Sequence, residues 1–223
     1  MQKYPHSQEL NEAWFAVAFD YKEPGGFFQY LAERKEPQKR FFGAMKCVGM
    51  APGVDYGHLA NGYDWRKLGK ATVVDRGGSA GHDFKETVEA SEKTLPAQFK
   101  GRVSFQAHDF FNPQPLRTEV YMMRHICHCW PDKYLIKILQ QTVLAMDHGS
   151  RMIVVETVVP SRRDGLYRSM DLFMFSMLDA QDRSAEEWSK IVVAADPRLR
   201  VASIEKPTGS HDAIIDIVLG QLN

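Results

Sequence analysis

The chain carries few of the marks of a secreted or membrane-bound protein. Its 223 residues hold three cysteines. Cys47, Cys127 and Cys129 form an odd set without the spacing of a disulfide framework, which suits a reducing compartment. No apolar stretch that would serve as a signal peptide follows Met1-Gln2-Lys3, and no hydrophobic run reaches the length of a membrane span. A cytoplasmic location is expected. Neither charge sign is in excess, with 28 basic against 28 acidic side chains. No bulk field therefore draws nucleic acid or an anionic membrane, and the expected partner is small. Internal repeats and low-complexity segments are lacking too. What remains is 44% hydrophobic and 25% charged, enough to bury one substantial core.

The most informative stretch lacks its usual continuation. Val73-Val74-Asp75-Arg76-Gly77-Gly78-Ser79-Ala80-Gly81-His82 is an apolar run ending in an acid and a glycine-rich turn. An α/β sheet presents backbone to a nucleotide in this way, and a complete site of this kind adds a helix, a second strand and a ribose-binding acid about 20 residues on. Here one charged amphipathic stretch, Asp83 to Lys93, is closed by Leu95-Pro96 before the next β-like run at Arg102 to Ala107. There is no room for the whole unit.

From Leu10 to about Lys70 the pattern reads helical, with apolar stripes at Trp14-Phe15, Phe27-Phe28 and Phe41-Phe42 broken by Pro24-Gly25-Gly26. From Ala71 strands and helices alternate. Strands are expected at Thr72 to Asp75, Val103 to Ala107, Val120 to Met123, Met152 to Val155, Val201 to Glu205 and Ala213 to Leu219. Helices are expected at Asp132 to Met146, Tyr167 to Leu178 and Ala185 to Ala194. The chain thus divides into a helical N-terminal segment, 1–70, and an α/β domain, 71–223, with a mostly parallel, doubly wound sheet.

His125-Ile126-Cys127-His128-Cys129-Trp130 packs four nitrogen and sulfur ligands into five positions. On an extended chain these side chains alternate in direction, so one tetrahedral metal site would need a tight reversal, and no metal is assigned. The other reading is a strand end entering a loop before the Pro131-Asp132 helix start, which sets side chains at the carboxyl edge of the sheet. A histidine there is a candidate general base. Glu156, at the end of the next strand, and Asp182, after a Met-rich helix, are the carboxylates that would orient His128 and stabilise its imidazolium. Asp182 could instead serve the cap of the following helix, next to Ser184. Met170, Phe173, Met174 and Met177, with Trp130, either sandwich an aromatic ring or pack a core.

Taken together, Val73 to His82, Gly101 to Phe111, Tyr121 to Asp132 and Gly149 to Pro160 resemble class I S-adenosylmethionine-dependent O-methyltransferases of the plant and fungal type. Fungal members from secondary-metabolite pathways are the most similar. The resemblance runs from about Asn11 to Leu219 and includes Asn61-Gly62-Tyr63-Asp64-Trp65 and Glu186-Glu187-Trp188. It implies a Rossmann-like methyltransferase sheet, S-adenosylmethionine as cofactor and a phenolic or polyketide-type substrate. It also implies His128 as base flanked by Glu156 and Asp182, with Asp109 and Phe110 against the adenosine. Asp75, Gly77, Gly78 and Gly81 are the expected cofactor turn, and Trp130, Met170 and Met174 the expected substrate contacts.

The departures matter as much. Members of that family are longer, opening with a dimerisation domain, so monomer and dimer both stay open here. Cys129 replaces the acid that follows the histidine, and Arg76 stands near where a sulfonium would sit. One helix-strand unit between His82 and Asp83 is expected to be missing, which places Asp83 at the ribose acid's position in sequence without its supporting strand. Weak or lost cofactor binding follows, and a sheet one strand short of seven. An active methyltransferase and a methyltransferase-like cyclase, isomerase or inactive homologue are both compatible with this pattern.

Overall fold

The computed structural model describes residues 4, 7–77, 93, 95–160 and 165–220. Four helices open the chain: α1 (Trp14–Ala18), α2 (Gly26–Ala32), α3 (Lys35–Gly49) and α4 (Tyr56–Gly62). Then come β1 (Val73–Asp75), β2 (Val120–Arg124), α5 (Asp132–Val143), β3 (Arg151–Glu156), α6 (Gly165–Leu178), α7 (Ala185–Ala195), β4 (Leu199–Glu205) and β5 (Ala213–Leu219). The strands form one sheet in the order β1-β2-β3-β5-β4. β1, β2 and β3 run parallel, while β5 is antiparallel to both β3 and β4.

Parallel strands covered on both faces need near-continuous apolar runs, and Met152-Ile153-Val154-Val155 of β3 is buried throughout. α5 turns Leu135, Ile138, Leu139, Thr142 and Val143 inward at helical spacing, packing one side of the sheet. α7 starts where a capping box forms: the Ser184 hydroxyl accepts from Glu187 N–H, and the Glu187 side chain accepts from Ser184 N–H. The cap is therefore Ser184 and not Asp182. The N-terminal helices pack on α6 through a cluster of Phe15, Phe27, Leu31, Met174, Leu178 and Ala180.

One expectation is corrected. Val103 to Ala107 is not a strand; it holds only an isolated bridge from Lys100 to Val103. An alternating run becomes a strand only where a neighbour accepts its backbone hydrogen bonds, and among the described residues β1, at the sheet's end, pairs with β2 alone. The sheet shows five strands among the described residues. Residues 83–92, which include Asp83, lie outside the described residues.

Candidate functional site

β2 and β3 end side by side, with Arg124 opposite Val155. One residue further, the chain leaves β2 through His125, which takes a left-handed φ of 54°, and enters a single 3₁₀ turn at Cys127–Cys129 before Trp130 and α5. Glu156, the last residue of β3, lies under that turn. Its Oε1 accepts from the Cys127 N–H at 2.6 Å, and its Oε2 meets His128 Nδ1 at 2.5 Å. The carboxylate is 1% exposed. Burial pushes its pKa up, but the His128 ring, His125 and the Cys127 N–H outweigh that and hold it below the usual range. For His128, burial favours the neutral ring, yet Glu156 and then Cys129 raise its pKa well above that of an ordinary histidine. A carboxylate at Nδ1 favours the tautomer with its proton there, which leaves the acceptor lone pair on Nε2.

Asp182 is buried in the loop between α6 and α7, its N–H donating to Asp171 Oδ1 at 3.3 Å. The neighbouring Arg183, 1% exposed, is part of this arrangement, and the sequence reading missed it. Its guanidinium donates to the Cys127 and Trp130 carbonyls at 2.9 and 2.7 Å and to Asp132 Oδ1 at 2.7 Å. It thereby clamps both ends of the turn that presents His128. An arginine beside a loop acid carries no local signal of such a role.

A second pair was also missed. His125 Nε2 lies 2.7 Å from Asp212 Oδ2, and the two histidine rings are 5.9 Å apart between centroids. Asp212 is 4% exposed; burial raises its pKa, and His125 more than offsets this, leaving it lowered. Sequence alone had given His125 no role. Loss of its ring leaves a buried carboxylate without that partner, so His125→Ala is expected to cost roughly 1–3 kcal/mol of stability in urea unfolding. An unchanged midpoint would show that Asp212 is satisfied elsewhere.

On the cofactor side, Gly77 has a φ of 81°, and a Cβ there would fall 2.6 Å from Ile126 Cδ1 and 3.9 Å from Phe110 Cε1. Glycine is thus favoured by conformation, while the crowding is with the flexible end of the Ile126 side chain. Asp75 and Asp109 are exposed near this edge, and Asp109 accepts from Phe111 N–H and Asn112 Nδ2, each at 3.0 Å. Phe110 is instead a core residue, 4% exposed and edge-to-face with Trp130. Arg76 points neither at a sulfonium nor to solvent. It is buried, donating to the Phe110 and Ile138 carbonyls and to the Thr142 hydroxyl, and burial lowers its pKa to about 10. Gly78, Gly81 and Asp83 lie outside the described residues. The bare backbone at Gly77 and two carboxylates suit the amine and hydroxyls of a nucleoside-bearing cofactor over this part of its length.

Of the expected substrate contacts, Trp130 is enclosed by Phe28, Phe110, Phe111 and Tyr134. Met174 is buried in the cluster beneath the N-terminal helices, and Met170 is about half exposed. The indole is thus core packing rather than one wall of an open slot. Among the described residues, no three His, Cys, Asp or Glu side chains are grouped to hold a metal, and no helix is long and apolar enough to cross a membrane.

The described strands form a mixed α/β sheet with Gly77 after its first strand and an acid-held histidine at its carboxyl edge. Residues 77–196 match the O-methyltransferase domain. The O-methyltransferase pgmB of Aspergillus terreus is 35% identical over 248 residues, covering 98% of this chain and 69% of that protein. The O-methyltransferase fsr2 of Gibberella fujikuroi is 35% identical, covering 87% of this chain and 58% of its own length. The chain belongs to the O-methyltransferase family. Among solved structures, LepI in complex with SAM superposes with a TM-score of 0.77 at 22% identity, covering 97% of this chain and 60% of LepI. The chain therefore spans between 58% and 69% of the length of these proteins. The alignment with pgmB is also longer than the 223 residues of the chain itself, so part of the relative has no counterpart within it.

Proposed function

We propose that this protein works on a hydroxyl of a phenolic or polyketide-type small molecule, with His128 as general base. The observation that carries this is the 2.5 Å pairing of His128 Nδ1 with a fully buried Glu156. With Nδ1 held, the hydroxyl proton passes to Nε2, and the resulting imidazolium is stabilised by the carboxylate beside it. Asp182, on the loop that also carries the Arg183 clamp, is the further acid of the group. S-adenosylmethionine, when bound, supplies an electrophilic methyl group. Gly77, with Gly78 and Gly81 after it, would hold it by backbone approach, and Asp75 and Asp109 by their carboxylates. Asp83 is the remaining candidate for the ribose.

The reading includes weak cofactor binding. In this reading a helix-strand unit is missing between His82 and Asp83, where the ribose acid would be supported. Charged hydrogen bonds are worth roughly 1.5–3 kcal/mol each, so misplacing that acid weakens binding by about one to two orders of magnitude. Arg76, pinned into the core, adds nothing to this loss. Calorimetric titration of the purified chain with S-adenosylmethionine is expected to give weak or undetectable heat. Micromolar affinity with stoichiometric methylation, abolished by Asp109→Ala, would overturn it.

A second reading follows from the same placement of the missing unit. The base and its carboxylate are complete, whereas the missing length is assigned to the cofactor side. Proton transfer without methyl transfer, as in a cyclase or isomerase, needs only the former. Mass spectrometry of products distinguishes the two, since methylation adds mass and isomerisation does not.

A further inference from the structure

His128 does not stand alone at the sheet edge. Glu156 ends β3, and Asp212 immediately precedes β5, whose Ala213 lies opposite Glu156. The two carboxylates are therefore neighbours across the sheet, each hydrogen-bonded to one histidine of the segment that follows β2. Both acids are almost closed to water, with 2% of the Glu156 and 5% of the Asp212 side chain exposed, whereas the rings in front of them keep 24% for His128 and 27% for His125. The ring centroids are 5.9 Å apart and the planes are inclined at 52°. Of these four groups, the two imidazoles are what a ligand can reach.

The placement of His125 is specific. Its left-handed φ of 54° is one that glycine or asparagine takes at lower cost, and its N–H is tied to the Val155 carbonyl at 3.1 Å. Backbone strain of this kind clusters where a side chain has to be aimed. Asp212 fixes the ring through Nε2 at 2.7 Å and is itself fixed, its N–H donating to the Ser210 hydroxyl at 3.0 Å and its Oδ1 accepting from the Thr157 hydroxyl at 3.5 Å. Arg124, whose field also reaches Asp212, engages the Val54 carbonyl and the face of Tyr56 instead. With Nε2 on its carboxylate, His125 is left with Nδ1, as His128 is left with Nε2. We propose that His125 is a specificity-determining residue, its ring taking a second hydroxyl of the substrate beside the one presented to His128. A hydroxyl suits the position because it both donates and accepts, and so partners an imidazole in either charge state, which an ether or carbonyl oxygen does not. The proposal rests on His128 being the base, and it narrows the acceptor to an aromatic ring with two hydroxyls close together.

Catechol and phenol are the probes, titrated into the full chain carrying isotope-labelled histidines, with the ring signals followed by NMR and assigned by their loss in His125→Ala and His128→Ala. Phenol is expected to move the His128 signal and catechol both signals, with catechol bound about fivefold or more tighter, the equivalent of one net hydrogen bond. In His125→Ala the preference for catechol is expected to disappear while phenol binds as before, whereas a merely structural role for His125 would weaken both probes alike. Thermal unfolding checks the variant. Should His125→Ala fail to fold, His125→Asn takes its place, since asparagine tolerates the left-handed φ. A His125 signal that catechol leaves in place, or a catechol preference that survives loss of the ring, would overturn the proposal and leave His128 in its role. If neither probe moves His128, the reading of His128 as the base falls and the proposal falls with it.

Discussion

With His128 as the proposed base, His128→Ala is expected to lower turnover with a phenolic acceptor by about 10²-fold or more, because general-base contributions are of that order, while the variant stays folded. The loss falls on kcat, since the imidazole acts on the proton in flight and not on the resting ligand. A pH profile carries the finer test. The pKa of His128 is raised well above that of an ordinary histidine despite burial, chiefly by Glu156. The unprotonated base therefore accumulates only on the alkaline side, and kcat/KM rises with pH through that raised value. Glu156→Gln removes the charge and moves the inflection toward the ordinary histidine range. The linked stability has the matching sign: a raised histidine pKa contributes stability fully present below the unfolded value and lost as pH rises through the folded one. An inflection that Glu156→Gln leaves in place would remove His128 from the role.

Arg183→Met is expected to destabilise the protein by about 3 kcal/mol, read as a shifted urea midpoint with an unchanged slope. The cost comes from the Cys127 and Trp130 carbonyls, which lose a charged donor in a buried setting. The Asp132 contribution is discounted, since that carboxylate is 43% exposed and screened by water. Arg183→Lys recovers only part of the loss, because a single ammonium does not span two carbonyls and a carboxylate as the guanidinium fork does. The placement of His128 depends on this clamp, so Arg183→Met is also expected to lower kcat without shifting the alkaline inflection. A variant of wild-type stability would show that the turn holds itself.

Much of the frame was legible from local pattern. Leu135, Ile138, Leu139 and Val143 repeat at helical spacing and form the inner face of α5. The run through Val155 reads as a strand buried on both faces, and Ser184 with Glu187 announces the start of α7. Val103 to Ala107 shows where such reading stops. Its alternation is as regular as that of a strand, but pairing is a property of the neighbour, and none among the described residues takes it. Arg76 is a similar case. Its position after β1 gave no direction to its side chain, and only the packing of α5 turned it into the core.

The periodicities that set strand and helix, and the place of Gly77 after β1 and of His128 just past a strand end, were determined by sequence alone, because each depends on residues within a few positions of one another. Which carboxylate meets which histidine was decided by strand register. Arg124 opposite Val155 sets Glu156 beneath the Cys127–Cys129 turn. Glu156 opposite Ala213 brings Asp212 to His125 from 87 positions away. Arg183 likewise reaches Asp132 across 51 positions. Hydrogen bonds over such separations follow from how the sheet is ordered and what packs on it, and no local pattern of side chains encodes them.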